Sequence, residues 1–189
     1  MEILSNLLSA FGLSSAAGLN AYIPLLSVGL VARFTDWIKL KPPYDLVTNE
    51  WVLGALFVLL VIELVADKIP AFDHLNDIVQ TAIRPTAGAI LFISTTNVVG
   101  EVNPAVAIVA GLAVAGTVHL VKAAARPIIN IATGGLGAPI VSTLEDIVAV
   151  ALSVMAILLP FGIVIVLILF AWLTLGWLRR RPPERRQSQ

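Results

Sequence analysis

Long apolar blocks separated by short polar stretches run through this chain, and their length predicts helices that cross a bilayer. The first block, residues 3–32, is interrupted only at SSAAGLNAYIP. As one helix it would be about 45 Å long, against a hydrocarbon core of about 30 Å. Gly18, Asn20 and Pro24 fall in its middle, where they loosen or kink a helix. It reads as a broken or strongly tilted span, or as a tilted helix with an interfacial lead-in. A segment that re-enters without crossing is the third reading. Ser14 and Gly18, like Ala17 and Ala21, are four apart and let another helix approach closely.

A polar loop over 33–50 follows, with Pro42-Pro43 beside Trp37 and Tyr44, residues suited to a bilayer interface. The block 51–66 is clean until Glu63, which shares a helix face with Asp67 at i,i+4, and Pro70 ends it. From Asp73 a short amphipathic helix puts Asp73, Asp77, Gln80 and Arg84 on one side and Leu75, Ile78, Val79 and Ala82 on the other. A third span over 85–99 ends in NVVGEVNP, where Pro104 opens a fourth over 104–124. Gly134, Gly135, Gly137 and Pro139 make 127–142 the least regular stretch. The uncharged run after Asp146 is one long helix kinked at Pro160-Phe161-Gly162 or, fitting a bilayer better, two spans, 141–159 and 161–178, joined by a tight hairpin.

The expected fold class is therefore all-α: a polytopic transmembrane helical bundle of six spans with broken or re-entrant helices. Residues 1–178 form a single transmembrane domain, and 179–189, RRRPPERRQSQ, a basic disordered tail. Composition agrees. The chain is 58% hydrophobic and 13% charged, with mean hydropathy +0.94, whereas soluble domains are about 45–50% apolar and about 25% charged. Twelve basic residues balance twelve acidic ones, so charge points to no nucleic acid partner. The lipid bilayer is the partner implied, and the small-residue helix faces would allow a homo-oligomer. Without cysteine there are no disulfides or thiolate metal sites. MEILSNLLSAFGL lacks the basic n-region of a signal peptide and is expected to be retained.

Arg179, Arg180, Arg181, Arg185 and Arg186 place the C-terminus in the cytoplasm of a multi-pass protein of the cytoplasmic (inner) membrane. Counting back puts the turns at Glu101 and Pro160 outside and the ionisable segments 67–84 and 122–142 inside. The misfit is the 33–50 loop, outside despite Arg33, Lys39 and Lys41. Two echoes, VxxAxRP at 79–85 and 121–127 and GLxA at 18–21 and 135–138, fit a 3+3 inverted repeat, a transporter layout with sites at interrupted helices. The repeated Arg-Pro pairs would then form two corners side by side at one membrane face.

Ionisable groups at membrane depth are costly and persist where they line a cavity or pair with one another. The polar-site candidates are Asn20, Glu63, Asp67, Asp73, His74, Asp77, Arg84, His119, Lys122, Arg126, Glu145 and Asp146. Acids and a histidine between broken helices can relay protons or bind a cation, while Arg84, Lys122 and Arg126 can receive an anionic or lipid-like solute. This makes a small transporter or permeation protein the first reading, and no enzyme. One alternative is a metal-dependent enzyme acting on a lipid phosphate. Glu63 with Asp67, or Asp73 with Asp77, would hold a divalent cation, although the sequence requires no cofactor and carries no complete metal motif. The other is a structural or scaffold protein with a paired-charge core, in which His119 is a hydrogen-bonded packing residue.

The stretches ELVADKIPAFDHLNDIVQTAIRPTAGA and HLVKAAARPIINIATGGLGAPIVSTLED resemble a family of small bacterial membrane proteins, domain of unknown function 4126. The resemblance extends from GLNAYIPLL to the last spans. Its pattern includes D-x-(I/V)-P-x-x-D-x-x-x-D, here from Asp67 to Asp77, and a closing S-x-x-E-D, here Ser142 to Asp146. Ala138 departs from it, standing where the pattern has Asn before proline; if that Asn is a site residue in relatives, this chain has lost it. The resemblance implies an integral membrane protein and no assigned activity.

Overall fold

A computed structural model describes residues 2–68, 70–96, 102–134 and 136–162, with Ile165, Ile168 and Trp172; over 70–77 only the backbone is described. The described residues form six α-helices and a short 3-10 helix, Tyr44–Thr48, and no strand. The span expected over 161–178 and the basic tail lie outside the described residues, apart from those three single positions.

The first apolar block divides where its polar centre lies. Helix α1 is Glu2–Leu19 and α2 is Tyr22–Phe34. Asn20 Oδ1 accepts hydrogen bonds from the backbone N–H groups of Tyr22 (3.1 Å) and Ile23 (3.2 Å), satisfying the first turn of α2. Pro24 also sits near that start, where a missing N–H costs little. The second helix runs back along the first rather than continuing it. Trp37, Ile38 and Lys39, just beyond α2, line the same cavity as Ser5 and Ser9 of α1. A helix of 13 residues continuing the direction of α1 would carry them about 40 Å from Ser5. The block 3–32 is thus broken at Asn20 and reverses there.

Asn49 caps α3, Glu50–Ala66, through Trp51 N (2.9 Å). Helix α4 is Pro70–Thr96. The expected amphipathic segment and third span are thus one helix, with Pro85 inside it. Asn103 caps α5, Pro104–Thr133, through Ala105 N (2.9 Å), and Pro104 opens it as expected. This helix passes straight through Pro127, so the fourth span does not stop near residue 124. The irregular stretch expected over 127–142 shrinks to a few residues. Gly134 takes the left-handed conformation (φ 60°) that ends α5, and α6, Gly137–Leu158, begins at once. Pro139 lies in the first turn of α6, where it breaks no helical hydrogen bond. The two Arg-Pro pairs are therefore helix interiors and not corners.

Helix α1 is central, packing on α4, α5 and α6. Its Ser9 Oγ donates to Ala156 O of α6 (2.7 Å) and its Ser14 Oγ to Gly88 O of α4 (2.9 Å). Phe11 meets Phe92 edge to face, with ring centroids 5.1 Å apart. Helices α4 and α5 are antiparallel: Gly88 lies against Gly111 and Ala115, while Arg84 lies against His119.

Two helices, α5 and α6, are long and apolar enough to cross a membrane. Only 22% of each apolar window is buried, where the core helix of a soluble protein would be mostly buried. Helix α5 buries Ala107, Gly111, Ala115, His119, Lys122 and Arg126 and exposes Val106, Val109, Leu120, Val121 and Ile128. Helix α4 likewise buries Gln80 and Arg84 and exposes Ile78 and Val79. On α5 small and polar groups face inward and large aliphatic groups outward, the reverse of a soluble bundle, whereas the end of α4 buries Leu91, Phe92 and Ile93.

Candidate functional site

The inward faces of four helices bring most of the ionisable candidates together. Helical spacing aligns Glu63 with Asp67 at the end of α3, Gln80 with Arg84 on α4, His119, Lys122 and Arg126 on α5, and Ser142 with Glu145 and Asp146 on α6. Asn20 reaches the same place from the α1–α2 turn. Arg84 is 0% exposed and Glu63 and His119 are each 1% exposed, so these are interior groups.

Asp67 is the centre of the network. Its Oδ2 lies 3.0 Å from Arg126 Nη2, 3.5 Å from Lys122 Nζ and 3.8 Å from Arg84 Nη2. Ser142 Oγ donates to the same oxygen at 3.5 Å. Glu145 Oε2 holds Lys122 (2.9 Å) and Arg126 (3.4 Å), and Glu63 Oε1 accepts from Arg84 Nη2 at 2.8 Å. Lys122 also donates to Leu19 O (2.8 Å), so its ammonium meets two carboxylates and the last turn of α1. Asp146 accepts from Asn20 Nδ2 (3.1 Å) and lies 3.7 Å from Lys68 Nζ. Among the described residues four carboxylates thus face four bases, and their formal charges balance. Balance is what makes burial at this depth affordable in free energy, because each charge is solvated by its partners instead of water.

His119 is fixed on both sides. Arg84 Nη1 lies 3.1 Å from its Nδ1, and Thr81 Oγ1 lies 3.0 Å from its Nε2. Arginine has only donors, so Nδ1 must accept, which assigns the neutral ring with its hydrogen on Nε2, donating to Thr81. The ring of α5 is thereby held by two side chains one turn apart on α4.

Some buried atoms in this cluster have no hydrogen-bond partner. They are Glu63 Oε2, Gln80 Oε1, Arg84 Nε and Asp146 Oδ2. Tyr22 lies within interaction range of Gln80, Glu63 and Arg84. Among the described residues Glu63 Oε2 is thus an open acceptor on an interior carboxylate, a place for a donor: a proton, a water or a cation. Glu63 and Asp67 both lie within 4 Å of Arg84 Nη2, so a guanidinium sits between them. Among the described residues no group of three or more His, Asp or Glu side chains could hold a metal ion.

Nine of the sequence candidates, Asn20, Glu63, Asp67, Arg84, His119, Lys122, Arg126, Glu145 and Asp146, meet here. The side chains of Asp73, His74 and Asp77 lie outside the described residues. Tyr22, Lys68, Gln80, Thr81 and Ser142 belong to the cluster without having been picked out as site residues. Ser142 stands four before Asp146 and Gln80 four before Arg84, so helical spacing from the charged candidates could have found both.

The sequence profile of the family described as domain of unknown function 4126 matches residues 7–180, nearly the whole chain. No curated protein and no solved structure matches it. The chain belongs to the domain of unknown function 4126 family.

Proposed function

We propose, starting from membership of a family that assigns no activity, that this is a multi-pass protein of the cytoplasmic membrane with a transporter-like role. The outward aliphatic and inward small or polar faces of α5 support the membrane setting. In this reading the α1–α2 hairpin enters and leaves from one side, the 33–50 loop stays on that side, and the charge cluster faces the cytoplasm. The arginines of the tail support that orientation, with 161–178 as the last crossing. The balanced cluster serves as the polar site through which a proton or small cation passes.

The observation that carries this reading is Glu63: 1% exposed, one oxygen held by Arg84 and the other without a partner. A carboxylate that were only structural would be satisfied at both oxygens. The test is flux through the purified protein in proteoliposomes, read by an internal pH dye under an imposed pH or sodium gradient. Wild type should dissipate the gradient, and Glu63→Gln and Asp67→Asn should abolish flux while still inserting. Unchanged flux in both variants would sink the idea.

A second reading has its own support. Arg84, Lys122 and Arg126 each touch two carboxylates, which is how a static lock between helices would be built. It predicts no flux in wild type and a large loss of thermal stability in Glu63→Gln.

A further inference from the structure

At the end of the bundle away from the charge cluster, a cavity of about 370 Å³ opens between the first turns of α1, the segment after α2, and the ends of α4 and α6. That volume lies within the range of small-molecule sites, about 300–1,000 Å³. Its lining is divided by chemistry. Ser5, Asn6 and Lys39 bring a hydroxyl, an amide and an ammonium, and none of the three has a side-chain hydrogen bond or ion pair among the described residues. Two further hydroxyls on the wall are already committed as donors: Ser9 to Ala156 O and Thr95 to Leu91 O, both at 2.7 Å. The rest is apolar, chiefly Leu13, Trp37 and Ile157. Among the described residues Lys39 is the only charged one in the lining.

One cation without a charge partner among the described residues, beside unused donors and sharing a lining with an indole and aliphatic groups, is complementary to an anion attached to an apolar body. We infer that this cavity is a binding site for a small monoanionic solute, its carboxylate or equivalent anionic group on Lys39 Nζ and the Asn6 amide, its apolar part against Leu13, Trp37 and Ile157. Nothing in this assignment depends on the charge cluster. Along α1 the two places are separated by about 16 Å, from Ser9 to Asn20.

The test titrates benzoate, and its uncharged counterpart benzamide, into the purified full chain by isothermal calorimetry. Benzoate should bind saturably, benzamide at least tenfold more weakly. Lys39→Met should weaken benzoate at least tenfold, and Asn6→Leu several-fold, whereas Lys41→Met, outside the lining, should leave it unchanged. Lys39 is exposed, so its replacement should not impair folding. Absence of saturable benzoate binding, equal binding of benzamide, or binding that survives Lys39→Met would each overturn the assignment. Repeating the titration in nanodiscs with and without phosphatidylglycerol separates the sources of such an anion. Displacement of benzoate by that lipid assigns the site to a headgroup, and its persistence to a dissolved solute.

Discussion

The interface between α4 and α5 is built in two ways along its length. At Gly88, Gly111 and Ala115 the backbones themselves touch. A Cβ added at Gly111 would lie 2.5 Å from Gly88 O and 2.6 Å from Ala89 Cα. Two turns further along, the same two faces present Arg84, His119, Lys122 and Arg126, long side chains that reach across to α3 and α6. The first region is held by close approach and dispersion, with nothing to titrate or move. The second is held by charges whose contributions depend on one another. The difference teaches where change is tolerated: the seam fails by crowding, the cluster by loss of a partner.

The largest effect should come from breaking the cluster at its most buried member. Arg84→Met leaves Glu63 without its only base contact within 4 Å and removes the donor to His119, at a cost of about 3–5 kcal/mol. Chemical unfolding in detergent micelles would measure it. Adding Glu63→Gln to that variant should recover most of the loss, because the orphaned charge is gone; a double variant no more stable than Arg84→Met would show that Arg84 acts mainly through Asp67 and His119.

Crowding the seam is the next effect. Gly111→Leu should cost about 1–3 kcal/mol or more by forcing α4 and α5 apart, seen in the same unfolding assay, while an outward change such as Val109→Leu should be nearly silent. Asn20→Ala removes both the acceptor that caps α2 and the donor to Asp146, and should cost about 1–2 kcal/mol. At the far end, Arg33 pairs with Glu50 in a largely exposed position. Arg33→Ala should change stability by less than about 1 kcal/mol, and that little should fade with added salt.

Much of the cluster was legible in the sequence because charge is conspicuous in an apolar chain. Glu63 and Asp67 stand out in the 51–66 block and its edge, and His119, Lys122 and Arg126 fall at helical spacing. Family membership was legible for the same reason, through the acidic stretch and the closing Ser142–Asp146 pattern. The path of the chain was less so. Pro85 and Pro127 look like helix ends, yet a single lost N–H bond is tolerated where the adjoining turns are packed or hydrogen-bonded. Gly134 does end a helix, but Gly137 sits inside the next one, where a Cβ would come 2.7 Å from Thr133 Oγ1. Local composition cannot tell a glycine kept for its backbone freedom from one kept for closeness. The direction of α2 was unreadable for a different reason: hairpin and straight break share the same residues, and only Trp37 and Lys39 returning beside Ser5 decide between them.

The turn at Asn20 also has a consequence for the order in which the protein can be assembled. Residues 2–34 precede their partners in synthesis: Leu19 O meets Lys122, Asn20 meets Asp146 and Ser9 meets Ala156 only after more than a hundred further residues have been made. Until then Asn20 and the Leu19 carbonyl have no protein partner among the later helices. This segment is thus made well before the helices that close around its tip.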